Sequence, residues 1–135
     1  KGSLAKDQIL VTADTTVIVG DVLLNKPEDA EDARHMLSLL SGRSHRVVTG
    51  VCLRTTHATK CFADESIVHF KTLSAAEMDY YVQRYSPLDK AGAYGVQDWI
   101  GYTAVERIEG SFYTVMGLPM HRLYEALIAL PIPEN

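Results

Sequence analysis

An aspartate stands inside an apolar run. ILVTADTTVIV, residues 9–19, carries Asp14 among β-branched neighbours. Carboxylates are seldom buried without a partner. Asp14 is therefore either a polar residue at a bulge or strand end, satisfied by backbone, or a metal ligand or general base. Its oxygens suit magnesium, which sits between acids and substrate phosphates. Lys26, just before Pro27, is read either as a solvated lysine or as a phosphate contact, because a helix start offers free N–H groups and the positive dipole end. SPLDKAGAYGVQD, residues 86–98, sets Asp89 and Lys90 before Ala-Gly-Ala-Tyr-Gly, with Gln97 two residues after the second glycine. The spacing is not that of a Walker phosphate loop. A lysine there can still meet a phosphate as a point charge, and the Gln97 amide offers the donor and acceptor that reading a base edge requires. Ser41-Gly42-Arg43-Ser44-His45 and Thr49-Gly50 are weaker signals. Their plain readings are a helix cap with a loop, and a glycine that lets another backbone approach.

The elements that must position these residues follow from periodicity. Residues 9–19 read as a buried strand, Gly20-Asp21 as a turn and Val22-Leu23-Leu24 as a short returning strand. Pro27-Glu28-Asp29 opens a helix, with proline suited to the first helical position. Ala30, Ala33, Leu37 and Leu40, with Met36 beside them, mark its inner face, and Gly42 stops it. His45–Thr55 and Lys60–Phe70 read as a hairpin whose register the sequence leaves open; a turn centred near Thr56 and His57 would set Cys52 opposite Cys61. The two cysteines are expected as neighbouring thiols, not as a bridge. Ser74-Ala-Ala-Glu77 is a capping box with Leu73 and Met78 as its staple, and that helix ends before Pro87. Tyr102–Ile108 reads as a strand, Phe112–Met116 as a strand pairing back, and a last helix runs from near Pro119 to before Pro131. The fold class is mixed α/β, a largely antiparallel sheet flanked by helices.

The bulk numbers narrow the function. The 135 residues suit one domain, and 47% are hydrophobic, enough for a core. A net charge of −4 argues against a nucleic acid polymer as partner, which would need a basic face. No apolar run approaches a membrane span, and two cysteines make no disulfide framework. A cytoplasmic globular protein with no membrane partner is the expectation.

Taken in order, TADTTV, NKP, MLSLLSGRSHRVVTGV, VHF, DKAGAYGVQ and ERIEGSFYTVMGLP resemble successive signatures of the Maf proteins, nucleoside triphosphate pyrophosphatases of Maf/ITPase-like fold. The resemblance runs from about Ile9 to Leu130 and implies cleavage of a nucleoside triphosphate between its α and β phosphates, with magnesium or manganese. By that resemblance Asp14 is the proton acceptor or metal ligand. Thr15 and Gln97 take part in base choice, and Lys26 and Lys90 line the phosphate pocket. The AYG.Q wording implies the branch acting on dTTP and UTP. The alternatives are modified or 7-methylated nucleotides, or a non-catalytic nucleotide-binding regulator of cell division; a homodimer is kept open. Family members begin with a strand, a Ser-x-x-Arg-Arg loop and a helix that this sequence does not carry, so it is expected to be a member lacking its N-terminal segment.

Overall fold

The computed structural model describes residues 4–130. Five strands form one sheet in the order β2-β1-β3-β4-β5, with every neighbouring pair antiparallel. The β-branched run makes β1 (Leu10–Val19), and Gly20 turns it into β2 (Val22–Leu24). The hairpin is β3 (Ser44–Arg54) and β4 (Thr59–Phe70), and Val105–Glu109 is β5.

Alternation along β3 decides which face is covered. His45, Val47, Thr49, Val51 and Leu53 are all buried. Their register partners continue that face: Val17 lies opposite Val47, and Val68 opposite His45. Against it packs α1 (Ala30–Leu40) through Ala33, Met36, Leu37 and Leu40. Beside it lies α2 (Ala75–Tyr85), with Tyr81 and Val82 buried. A second cluster, Val51 and Leu53 with Leu123 and Ala126, sits under α5 (Met120–Ile128). Among the described residues no helix is long and apolar enough to cross a membrane.

The capping box forms as expected: Ser74 Oγ accepts from Glu77 N–H, and Glu77 Oε1 accepts from Ser74 N–H. Leu73 and Met78 join the core. The α2 helix ends in a left-handed Ser86, with φ 44°, just before the buried Pro87. Other expectations need correction. Asp29, not Pro27, begins α1, because its carboxylate accepts from Asp32 N–H at 2.8 Å; Pro27 is buried ahead of the cap, and Ala30 is exposed. Residues 99–104 are the helix α3 (Trp99–Ala104), which delays β5 to Val105. Residues 112–116 are the helix α4 (Phe112–Met116), because Ser111 Oγ caps the N–H groups of Tyr113 and Thr114. The last helix stops at Ile128; Pro131 lies outside the described residues. Cys52 and Cys61 are opposite as expected, but they are bonded as a disulfide and are not free thiols. The register sets them directly across adjacent strands, with Cα atoms 4.1 Å apart.

Candidate active site

The four residues singled out by type and spacing, and Thr15, which the resemblance adds, meet at one pocket. Asp14 and Thr15 come from β1, Lys26 from the segment after β2, and Lys90 and Gln97 from the loop after α2, with Tyr94, Val115 and Met116 completing the wall. A second pocket continues past Asp14, Thr15, Asn25 and Lys26. The two lysine segments are tied together by backbone: Gly92 N–H donates to Asn25 C=O at 3.2 Å. The turn containing Gly92 lies directly on β1, where a Cβ at Gly92 would come within 3.0 Å of Val17. Gly92 and Ala93 both take left-handed angles, φ 72° and 65°. For alanine that is strain, held here by full burial.

Lys90 is half-buried, with Nζ 3.3 Å from Asp89 Oδ1. Its stem crosses Gly95, where a Cβ would meet Lys90 Cε at 2.6 Å. The hydrogen bond from Lys90 holds the Asp89 carboxyl below its usual range, and the charge of Lys26 adds to this. Both cations therefore bear on one end of the pocket. Gln97 and Met116 line both this pocket and the groove beyond it, and Thr15 Oγ1 faces Gly117, just past α4.

Two tyrosines hold the loop. Tyr81 Oη donates to Asp98 Oδ2 at 2.8 Å and accepts from Gly95 N–H at 3.0 Å. Burial pushes its hydroxyl pKa up. Tyr94 Oη lies 2.6 Å from His45 Nε2, and both rings meet Phe70 edge-on. Burial, then the charge of His69, lowers the His45 pKa to about 4.

Asp14 differs from the buried carboxylate expected. It is exposed, because side chains alternate along a strand and Asp14 stands on the face away from the buried Val17, Val19 and Thr49. Its cross-strand partner is Gly50, where an added Cβ would meet nothing within 4 Å. Among the described residues no group of three or more His, Cys, Asp or Glu is placed to hold a metal. Asp14 and Asp89 are the pocket's carboxylates. That donor set does not fit an all-protein zinc site. It fits a magnesium-type ion held by one or two carboxylates and substrate phosphates.

Sequence reasoning missed the supporting groups. Tyr81 and Asp98 reach the loop through tertiary contact, and no local pattern announces them. Val115 and Met116 read as strand by residue type, and the signal for Thr49 is its strand alternation with the apolar Val47 and Val51.

An α/β protein with an antiparallel sheet, and a pocket lined by two lysines beside uncharged polar side chains, has the makings of a phosphorylated-ligand site. The Maf-like protein family model matches residues 1–130, and the chain belongs to that family. A Porphyromonas gingivalis protein named dTTP/UTP pyrophosphatase is 55% identical over 127 residues, which is 94% of this chain and 64% of that protein. A Bacteroides thetaiotaomicron protein of the same name is 55% identical over 120 residues, 89% of this chain and 62% of that protein. One from Flavobacterium johnsoniae is 45% identical over 130 residues, 96% and 67% respectively. The chain thus spans less than two thirds of the length of the first two relatives.

Proposed function

We propose that the pocket is the nucleotide site of a nucleoside triphosphate pyrophosphatase acting on dTTP and UTP. The observation that carries this reading is the convergence of Asp14, Thr15, Lys26, Lys90 and Gln97 on one pocket with its cations at one end. The names of the relatives support the substrate class. In this reaction water attacks the α phosphorus, the bond to the oxygen bridging α and β phosphates breaks, and pyrophosphate leaves with the electron pair. Such transfer needs mainly positioning and charge neutralisation. Lys26 and Lys90 neutralise phosphate oxygens as point charges. Asp14, exposed at the strand edge, either takes the proton from the attacking water or holds the metal. Bound magnesium or manganese would supply further neutralisation, with Asp14, alone or beside Asp89, as its protein ligand. Thr15 and Gln97 take the base. A cytoplasmic homodimer belongs to the same reading, and light scattering after size exclusion reads the assembly.

The test is incubation of the protein with a panel of triphosphates and magnesium or manganese, measuring pyrophosphate release and nucleotide binding. Pyrophosphate from dTTP and UTP ahead of purine triphosphates is expected, and it should vanish in Asp14→Asn with the fold intact. Binding without release from any triphosphate would favour a non-catalytic nucleotide-binding protein instead.

A further inference from the structure

Thr49 is fully buried on β3, directly opposite Thr15. Its hydroxyl donates to the carbonyl of Thr114 at 2.9 Å. A hydroxyl has one proton to give. The 2.9 Å contact between Thr15 Oγ1 and Thr49 Oγ1 is therefore donated by Thr15 and accepted by Thr49. The carbonyl at the end of this chain is itself held. Thr114 is fully buried, and its own hydroxyl donates to Asp64 Oδ2 at 2.7 Å. Every proton along the line from Thr15 to Asp64 is committed, all in one direction.

The consequence appears at the pocket. With its proton turned inward, Thr15 can offer a ligand only lone pairs. Gln97 cannot impose such a polarity. Its amide is exposed and can turn over to present either its donor or its acceptor side. Uracil and thymine carry an N–H at ring position 3; cytosine carries an unprotonated nitrogen there. A fixed acceptor satisfies the first and leaves two lone pairs facing each other with the second.

We infer that Thr49 is a positioning residue that locks Thr15 as a hydrogen-bond acceptor and so selects pyrimidines bearing a ring N–H over cytosine. This rests on the pocket being the nucleotide site proposed above, and adds to it a residue that touches no substrate.

The experiment compares the parent with Thr49→Val and Thr49→Ser. Pyrophosphate release from UTP and CTP is measured as kcat/KM, and binding of UMP and CMP by calorimetry, so that recognition is also read without turnover. Valine keeps the shape and removes the acceptor, freeing the Thr15 proton to face the ligand. The preference for uracil over cytosine should fall about ten-fold or more, the effect of one mispaired buried polar group. Serine, which keeps the hydroxyl, should restore it. A role confined to packing would lower Tm without moving the ratio. If the parent prefers uracil and Thr49→Val keeps that preference while folded, this inference is overturned and the nucleotide site stands. If the parent binds neither nucleotide and turns over neither triphosphate, the site assignment falls and takes the inference with it.

Discussion

Lys90 and Gln97 lie seven residues apart on one loop and should fail in different ways. Lys90 lies over Gly95 beside Asp89, and Lys26 shares that end of the pocket. A point charge on phosphate carries no information about the base. Lys90→Ala and Lys26→Ala should each lower kcat/KM for dTTP and UTP by the same factor, about ten-fold or more for a desolvated phosphate contact. A changed dTTP-to-UTP ratio at unchanged efficiency would remove the lysine from the phosphate end. Gln97→Ala should instead narrow the gap between pyrimidine and purine triphosphates, by about ten-fold if one buried base contact is lost. A lower Tm with intact ranking would make Gln97 a structural residue of the turn before α3. Asp14 shows what residue type alone conveys. Its identity marked it as unusual in an apolar run, but the run is apolar or β-branched on both faces, so residue type did not reveal that Asp14 stands on the face away from Val17 and Val19.

The loop between α2 and α3 acts as an element in its own right, and two of its glycines do different work. Gly92 has φ 72° and faces Val17 on β1. A side chain there meets both the left-handed penalty and a packed strand. Gly92→Ala should therefore cost about 2 kcal/mol and lower Tm by several degrees. Gly95 has no such backbone demand. Its added Cβ would strike the flexible Lys90 stem at 2.6 Å and, at 2.9 Å, Asp98 Oδ2, which also accepts from Tyr81. Gly95→Ala should lower Tm less than Gly92→Ala while lowering kcat/KM toward that of Lys90→Ala. Measuring both variants for melting and turnover checks the division of labour; equal effects on stability would contradict it. The capping box of α2, the inner face of α1 and the existence of the β3–β4 hairpin were legible because each is written in local spacing, whereas the hairpin's register was open until the strands paired. The helices α3 and α4 were not legible. Each is at most six residues long, too short for a helical period to declare itself, and Phe112–Met116 has the aromatic and β-branched content of a strand. There the Ser111 cap decided the outcome.

At the scale of the molecule, the pocket exists because the loop is clamped onto the sheet, and the clamp is His45. From β3 it meets Tyr94 of the loop through Nε2 and Phe70 of β4 through its ring. The residues on the pocket were legible as types, but this clamp was not: nothing local distinguishes His45 from a loop histidine, and its partner is 49 residues away. Burial, with a smaller contribution from the charge of His69, depresses its pKa from 6.5 to about 4. The sign follows from linkage. An unfolded chain takes up the proton near pH 6.5, whereas the fold resists it until about pH 4. The stability from a neutral His45 is thus complete above 6.5 and is lost as pH falls toward 4, on the order of 3 kcal/mol across that window. The surface carboxylates held low by partners, Asp89 by Lys90, Glu65 by Arg46, Glu77 by the Ser74 N–H and Glu109 by His69, add their losses only as pH falls below about 4.5, where unfolded carboxyls titrate. Denaturation midpoints should therefore hold steady from pH 8 to 7 and decline from 6.5 downward, before carboxylate protonation begins. His45→Gln keeps a polar atom for Tyr94 and cannot titrate. It should be less stable than the parent at pH 7, yet lose less between pH 6.5 and 4.5. An equally steep decline in that variant would place the proton uptake elsewhere and leave His45 a packing residue only.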